Sequence, residues 1–297
     1  MNNHPRASVV IPACNEELVI DSCLSALLDQ ARDGEFEVVV IANGCRDRTA
    51  EVARRFTGVT VVESPHPSKS DALNLGDDHV TCFPRIYLDA DVVVSTAAAR
   101  TVVETLQQGP ALVAAPAISV DTGGRPWRVK AYYRVWTRLP YLRDQHIGTG
   151  LYALSHEGRS RFGSFPGLIT DDLFVRNLFD RRERRSLNTV TFTCRAPMTL
   201  RGIVRIRSRS AAGIRQYRRL FPHYAERARS TDGTRRHRIR PLVRDPQLWP
   251  SLAVYGFVYC AAETWGWLRF RFGDLERWPA DQPSRRAELQ SDAHGAL

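Results

Sequence analysis

The sequence predicts an α/β fold, with a mostly parallel sheet, flanking helices and a helical C-terminal extension. Short apolar runs alternate with amphipathic stretches through the first 120 residues, and each run is apolar along almost its whole length. Runs of this kind are typical of strands buried on both faces of a parallel sheet, and the alternation indicates βαβ units. A chain of 297 residues is long enough to bury a large core.

The elements follow in order from hydrophobic periodicity and turn signals. Continuous apolar runs predict strands, and apolar residues at helical spacing predict the helices between them. The predicted strands cover residues 8–12, 37–42, 59–63, 85–88 and 111–116, and the predicted helices cover residues 17–30, 48–56 and 71–80.

Charge and cysteine content limit the setting of the protein. The net charge is +10, and only Lys69 and Lys130 are lysines, so arginine carries the excess. A basic chain suits an anionic partner, such as nucleic acid, a phosphate-bearing substrate or an acidic membrane surface. The six cysteines form no CxxC pair, and the first residues lack the basic and apolar regions that would predict a signal peptide. We therefore expect a reduced, cytoplasmic setting.

Polar residues follow the predicted strands at the edge where ligands bind in parallel sheets. The Asp89-Ala90-Asp91 triplet comes directly after an apolar strand. Two carboxylates flanking one small residue suit a hard divalent cation, which binds oxygen ligands and substrate phosphates together. A lone triplet of this kind is weak evidence for a metal site, so the neighbouring motifs must provide further evidence.

Four successive loops share one pattern of spacing: P-x-x-N-E from Pro12, N-G-x-x-D-x-T from Asn43, K-x-x-A-L-N from Lys69, and D-A-D from Asp89. In this order the motifs resemble those of the family 2 glycosyltransferases of the GT-A fold, over roughly residues 7–215. The resemblance implies a GT-A fold, a nucleotide-diphosphate-sugar donor, and Mg²⁺ or Mn²⁺ as cofactor.

The resemblance also implies roles for individual residues. Asp91 would be the direct metal ligand, and Asp89 would contact the ribose or the metal region. The family often carries two acidic residues before the glycine of the second loop, where this chain has Ala42 and Asn43. The contact to the nucleobase and the identity of the nucleotide are therefore left open. The implied nucleotide-sugar contacts are Pro12, Ala13, Asn15, Glu16, Asn43, Gly44, Asp47, Lys69, Asp89, Ala90, Gly148, Thr149 and Gly150.

Several of these residues also have a purely structural interpretation. Glu16 could begin the following helix, where an acidic side chain is favourable. Asn43-Gly44 could form only a tight turn. Asp47 could cap a helix N-terminus. Each alternative explains one residue, whereas the joint occurrence of the motifs favours a site.

A second group of residues suggests a general base. Thr170-Asp171-Asp172 resembles the family's T-E-D segment, whose final aspartate is the base in inverting members. Asp172 is therefore our candidate base, with Asp171 in support. The structural alternative is a helix N-terminus with Thr170 as cap and two aspartates complementing the dipole, and both interpretations are compatible. The glycines at 148 and 150 would permit close backbone approach to the donor sugar or acceptor.

The segment around Arg209 bears on processivity. Processive relatives carry Q-x-x-R-W here, whereas this chain has Ile206 and Ser210 at the glutamine and tryptophan positions. Arg209 matches the arginine and could reach the diphosphate. We interpret Arg205 and Arg207 as a solvated basic face. The missing tryptophan favours transfer of one sugar at a time.

The C-terminal region raises the question of membrane contact. Residues 249–268 are apolar apart from Glu263, but contain a proline and two glycines. We expect an interfacial, hairpin-like or docking segment rather than a true span, with a buried C-terminal helix as the alternative. Peripheral contact with the inner face of the cell membrane would suit a lipid-linked acceptor, and a small-molecule acceptor stays open.

The predicted organisation has four parts: a nucleotide-sugar-binding half (1–120), an acceptor-binding and catalytic-base half (121–215), a basic and apolar helical extension (216–272) and a polar, disordered tail (273–297). The expected function is inverting, non-processive transfer to an acceptor hydroxyl, in cell-envelope glycan, glycolipid or secondary-metabolite glycosylation. A nucleotidyltransferase acting on sugar phosphates is the alternative. A nucleic-acid-binding protein is a distant third, because it leaves the clustered aspartates unexplained, and no nucleic-acid partner is expected.

Overall fold

A computed structural model describes residues 4–139, 142, 147–226 and 241–273. Within these ranges one eight-stranded sheet is flanked by helices. The strands are β1 (Ala7–Ala13), β2 (Phe36–Asn43), β3 (Val59–Ser64), β4 (Arg85–Leu88), β5 (Val92–Val94), β6 (Val113–Asp121), β7 (Leu151–Leu154) and β8 (Arg184–Arg195). The helices are α1 (Ile20–Leu28), α2 (Thr49–Ala53), α3 (Lys69–Asp78), α4 (Thr96–Gln108), α5 (Trp127–Trp136), α6 (His156–Ser160), α7 (Asp171–Leu178), α8 (Leu200–Leu220) and α9 (Trp249–Phe272).

The N-terminal half is the predicted parallel unit. The sheet order is β3-β2-β1-β4-β7-β6-β8-β5, and β3, β2, β1 and β4 pair in parallel. Every residue of β1 is buried, because helices cover both faces of the sheet there. One face packs against α1 and α4, and the other packs against α3. All four predicted strands of this unit are confirmed.

The second half of the sheet is mixed. Strand β7 runs antiparallel to both β4 and β6, and β5 runs antiparallel to β8. Strand β6 pairs with β8 in parallel, with an irregularity in register between Pro116 and Ala117. Because β7 is inserted beside β4, the loop that precedes β7 lies against the end of β4. The antiparallel insertion thus brings residues 148–150 to the Asp89 triplet.

Helices α5, α8 and α9 pack together in a third hydrophobic cluster, which also contacts Ile118 and Val120 of β6. The rings of Tyr132 on α5 and Tyr255 on α9 stack with centroids 5.4 Å apart. A Cβ placed at Gly266 of α9 would lie 2.7 Å from the Cβ of Ala211, so a glycine is needed for this close approach to α8. Residues 249–268 lie within the single continuous helix α9, so the expected hairpin-like form is wrong.

Two features of the predicted organisation can be compared with these elements. The division at residue 215 falls inside α8, which continues to Leu220. Of the polar tail from residue 273, all but Gly273 lies outside the described residues.

All six cysteines are free thiols. Within the described ranges, no helix combines the length and the apolar character needed to cross a membrane.

Candidate active site

A cavity of about 1090 Å³ opens at the carboxyl ends of β1 and β4, the edge of the sheet that the sequence predicted. It extends from the strand-end loops to α8 and α9. The candidate site residues that line it are Pro12, Glu16, Lys69, Asp89, Ala90, Asp91, Thr149, Gly150, Asp171, Asp172 and Arg209. The candidates outside its lining are Ala13, Asn15, Asn43, Gly44, Asp47 and Gly148.

Lys69 joins two carboxylates from different parts of the chain. Its Nζ lies 2.6 Å from Oδ1 of Asp89 and 3.0 Å from Oδ1 of Asp171. Ser68 caps α3 by accepting a hydrogen bond from the backbone N–H of Asp71, which fixes the first turn that carries Lys69. Burial opposes the charge on the lysine, but the two carboxylates outweigh it and hold the Lys69 pKa above its usual value. The ammonium group is therefore charged under all ordinary conditions.

Asp171 is almost fully buried, with its side chain 4% exposed. The hydroxyl of Tyr152 on β7 donates a hydrogen bond of 3.1 Å to Oδ2 of Asp171, opposite the bond to Lys69. Both oxygens thus have partners, as a buried charge requires. Tyr152 was not among the sequence candidates, because nothing in the run LYAL distinguishes it from a core tyrosine.

Asp172 is held by backbone donors. The N–H of Thr149 donates to Oδ2 at 3.2 Å, and the N–H of Leu173 donates to Oδ1 at 2.8 Å. Gly148 has φ +112°, and a Cβ there would lie 2.7 Å from the Cβ of Asp172. Burial, and then repulsion from Asp171, raise the Asp172 pKa, although Lys69 opposes the shift.

The two aspartates of the triplet differ in their surroundings. The N–H of Asp89 donates to the carbonyl of Gly150 at 2.8 Å, which links the triplet to the loop before β7. Asp91 lies open to the cavity. Desolvation in the cavity, and then repulsion from Asp89, raise the Asp91 pKa to about 6. Desolvation also raises the pKa of Asp89, while Lys69 lowers it.

Hydrogen bonds between backbone and side chains join the loop that follows β1 to the loop that follows β2. Asn15 has φ +57°, and its Oδ1 accepts from the N–H of Arg46 at 2.7 Å. The N–H of Glu16 donates to Oγ1 of Thr49 at 2.8 Å. Glu16 precedes α1 rather than beginning it. The two loops therefore form one scaffold.

Asp47 belongs to the same scaffold. Its Oδ2 accepts from the N–H of Glu17 at 3.2 Å, and its Oδ1 accepts from the N–H of Thr49 at 3.1 Å. The N-cap position of α2 is Arg48, without a side-chain cap, so Asp47 precedes the cap position. Thr170 occupies the N-cap position of α7, but its hydroxyl makes no capping bond and, within the described part of the chain, has no hydrogen-bond partner.

Asn43 ends β2 with a fully buried side chain, and its Nδ2 donates to the carbonyl of Ser68 at 3.1 Å. It thereby ties the second loop to the loop before Lys69. Gly44 follows with φ +62°, and a Cβ there would meet Pro67 at 2.7 Å, so the turn interpretation holds for the glycine. Nothing in the sequence indicated that Asn43 faces inward.

The other end of the cavity is aromatic and basic. Arg207 is half-buried, with its guanidinium carbon 5.8 Å from the ring centroid of Trp136. The interpretation of Arg207 as part of a solvated face is therefore wrong, because α8 turns it toward α5. Burial lowers the Arg209 pKa, and Asp89 is the strongest of the carboxylates that oppose this.

Trp136 itself is 4% exposed, and its indole Nε1 has no hydrogen-bond partner among the described residues. It lines the cavity together with Tyr132 and Tyr255. The sequence did not mark these residues, since aromatic residues at helical spacing usually signify core packing.

The sequence is similar to those of known glycosyltransferases. The sequence model of Glycosyl transferase family 2 matches residues 8–160, slightly more than half of the chain. The chain is 32% identical over 93 residues to the glycosyltransferase AglE of Haloferax volcanii. It is 37% identical over 111 residues to a 4,4'-diaponeurosporenoate glycosyltransferase of Staphylococcus aureus. The matched segments span 29% and 35% of this chain, and 31% and 28% of those proteins.

Two solved structures share the fold. The mannosyltransferase PcManGT from Pyrobaculum calidifontis, solved with GDP-Man and Mn²⁺, aligns with a TM-score of 0.55 at 21% identity, over 99% of this chain and 81% of that one. TarS 1–349 from S. aureus, solved with UDP, aligns with a TM-score of 0.51 at 14% identity, over 92% and 94%. The fold is thus the GT-A fold, and the chain belongs to glycosyltransferase family 2.

Proposed function

We propose that this enzyme transfers a sugar from a nucleotide-diphosphate donor to an acceptor hydroxyl with inversion, assisted by a divalent metal and one sugar at a time. The observation that carries this proposal is the convergence of Lys69, Asp89, Asp91 and Asp172 on one cavity. Structural relatives were solved with GDP-Man and Mn²⁺ or with UDP, which supports a nucleotide-sugar donor and a divalent cation here.

The donor nucleotide is proposed to lie along the strand-end loops. Pro12 and Glu16 line this part of the cavity, and Lys69 provides its positive charge. Asn43, at the position where relatives often have a carboxylate, is committed to Ser68 and lies outside the cavity lining. The proposal accordingly leaves the nucleobase of the donor open.

The carboxylates fit a divalent cation that is shared with substrate. Within the described ranges, no group of three or more histidine, cysteine, aspartate or glutamate side chains could hold a metal alone. Asp89 is engaged by Lys69, so Asp91 is the main protein ligand in this proposal. Mg²⁺ and Mn²⁺ commonly bind through one or two carboxylates plus phosphate oxygens, which matches this donor set. When bound, such a cation neutralises charge on a departing diphosphate.

Asp172 is the proposed general base. It would take the proton from the acceptor hydroxyl as the oxygen attacks the anomeric carbon and the bond to the diphosphate breaks. Its raised pKa makes the carboxylate a stronger base near neutral pH. The two backbone N–H donors fix its orientation, and Lys69 holds the neighbouring Asp171.

The acceptor is proposed to enter from the aromatic end. Arg209 could bind the diphosphate, since a guanidinium group suits phosphate oxygens. Trp136, Tyr132 and Tyr255 line this end of the cavity with aromatic rings. Ile206 and Ser210 replace the glutamine and tryptophan of processive relatives, which supports single transfer. A lipid-linked acceptor and a cytoplasmic, peripheral location remain part of the proposal.

A panel of nucleotide sugars with Mn²⁺ tests the proposal through release of nucleotide diphosphate. Asp172→Asn is expected to lower turnover by about 100- to 10,000-fold, the usual contribution of a general base, while donor binding persists. Asp91→Ala is expected to remove both turnover and metal-dependent donor binding. Near-normal turnover by Asp172→Asn would contradict the base assignment. Absence of release with every donor, together with tight RNA or DNA binding, would favour the nucleic-acid alternative.

A further inference from the structure

Helix α9 is apolar on the side that faces away from the protein. Its inner side is buried at Ser251, Val258, Ala262 and Gly266. Large apolar side chains project elsewhere, half to three-quarters exposed in most cases: Trp249 (59%), Phe257 (64%), Trp265 (64%), Trp267 (50%), Leu268 (39%) and Phe272 (75%). Several large apolar side chains exposed on one helix indicate an interaction site.

The outer side of α9 carries no charge over most of its length. Glu263 is the sole charged residue between 249 and 268. It pairs with Arg215 of α8 at 2.7 Å and so serves the contact between the two helices. Arg271 lies in the last turn of the helix, and Arg244 lies before the helix next to Asp245; all three are exposed.

The residues on the exposed side of α9 indicate what kind of partner this side would contact. The exposed side of α9 carries the Trp, Phe and Leu residues that an interfacial helix buries at the headgroup boundary, and the protein packs on its other side, where a free interfacial helix would be polar. The finding that no described helix can cross a membrane leaves this orientation open to α9. The arginines suit anionic headgroups, each contributing to binding near a charged surface. The chain that follows α9, residues 274–297, is rich in charged residues and poorly suited to cover an apolar face.

We propose that the outer face of α9, formed by Trp249, Phe257, Trp265, Trp267, Leu268 and Phe272, docks on an anionic phospholipid bilayer. Tyr255, Tyr259 and Glu263 of the same helix line the catalytic cavity. Docking therefore holds the cavity about 10 Å from the lipid, the diameter of one helix. This deepens the proposed function by placing the acceptor end beside the membrane, and in that respect it rests on the proposed function.

Sedimentation of the full chain with lipid vesicles tests the docking surface. Binding is expected to vesicles of phosphatidylcholine with a quarter phosphatidylglycerol, to weaken in high salt, and to be weaker for pure phosphatidylcholine. The double variant Phe257→Ser/Trp267→Ser is expected to lose about tenfold or more in partitioning, because two aromatic side chains no longer enter the interface. Val93→Ser, which alters an exposed apolar residue on β5, is the matched control.

A charge-reversal pair tests the electrostatic part. Arg271→Glu is expected to weaken binding to the anionic vesicles, whereas Arg182→Glu, an equal change of charge at an exposed site beside β8, is not. Equal effects of both variants, binding that the double variant leaves unchanged, or no vesicle binding at all would overturn the proposal. Self-association that the double variant abolishes, without vesicle binding, would assign the face to a second copy of the chain.

Nucleotide-diphosphate release separates this proposal from the proposed function. Phe257 and Trp267 lie outside the cavity lining, so the double variant is expected to retain release in solution without lipid. Release by the unaltered chain, without any binding of that chain to vesicles, would overturn docking alone. Vesicle binding without release from any donor would overturn the transferase proposal alone.

Discussion

Lys69 and Asp89 form an ion pair of 2.6 Å between the first turn of α3 and the end of β4. The first aspartate of the triplet is thereby neutralised by the protein, whereas Asp91 is left facing the cavity. The same ammonium group also holds Asp171 at 3.0 Å, so one lysine maintains the spacing between the triplet and the candidate base segment.

Replacement of Lys69 by methionine is expected to destabilise the fold and to abolish activity. Asp171 would become a buried carboxylate without its cation, and breaking such a pair typically costs about 3 kcal/mol of unfolding free energy. Urea denaturation measures the loss. Lys130 is exposed and is the other lysine of the chain, so Lys130→Met is the control and should change neither property. A stable Lys69→Met protein would contradict a structural role for the pair.

Asp91 predicts a pH-dependent effect on stability in metal-free buffer. Its pKa of about 6 in the folded protein exceeds the ordinary value of 3.8, so the folded state binds this proton more tightly than the unfolded state. The ionised carboxylate therefore lowers stability above about pH 7, and the effect vanishes below about pH 4, where both states are protonated.

Asp91→Asn is accordingly expected to raise the melting temperature at neutral pH and to leave it unchanged in acid, while removing metal-dependent activity. Thermal melts across this pH range check the expectation. Asp33→Asn, at an exposed position, serves as the control. An equal shift at every pH would show that the substitution acts through packing instead of charge.

Gly148→Ala is expected to lower turnover about 100-fold, as small displacements of a catalytic group can. The added Cβ would lie 2.7 Å from the Cβ of Asp172, and φ of +112° is strained for alanine. Gly124 also has positive φ, but a Cβ there meets nothing within 4 Å. Gly124→Ala therefore places an alanine at positive φ without any contact to Asp172, and steady-state kinetics is expected to show unchanged turnover for this control.

Tyr152→Phe removes the hydroxyl that donates to Asp171. A hydrogen bond to a charged group contributes about 1.5 to 3 kcal/mol, so unfolding free energy should fall by that amount. Turnover should fall less than for Asp172→Asn, because Lys69 still holds Asp171. Chemical denaturation and donor turnover measure the two effects, and unchanged stability would indicate that the hydroxyl is not bonded to the carboxylate.

The parallel half of the fold was predictable because its strands are continuous apolar runs. Strands β1 to β4 and their loops were all found from that pattern. Strand β5 was missed because three valines after the triplet are too short a signal, and β8 because its alternating polar and arginine residues resemble a loop. The antiparallel insertion of β7 depends on pairing with distant partners, which periodicity cannot reveal.

The site was predictable in its residues but not in its contacts. Motif spacing selected Lys69, Asp89 and Asp171, yet gave no sign that one lysine would join both aspartates. Trp136 and Tyr152 were invisible because their local sequence is that of ordinary core residues. Arg207 was misjudged because helical spacing does not tell which side of α8 meets α5.

The hydrogen bonds among the motif loops bear on attempts to change donor preference by engineering. Asn15 binds the backbone of the second loop, Asp47 binds the backbone of the first, and Asn43 binds the backbone before Lys69. A loop transplanted alone from another family member would leave these donors and acceptors unmatched in its neighbours. Chimeras are therefore expected to be more stable when all three loops are exchanged as a set than when one is exchanged alone, which thermal melting would measure.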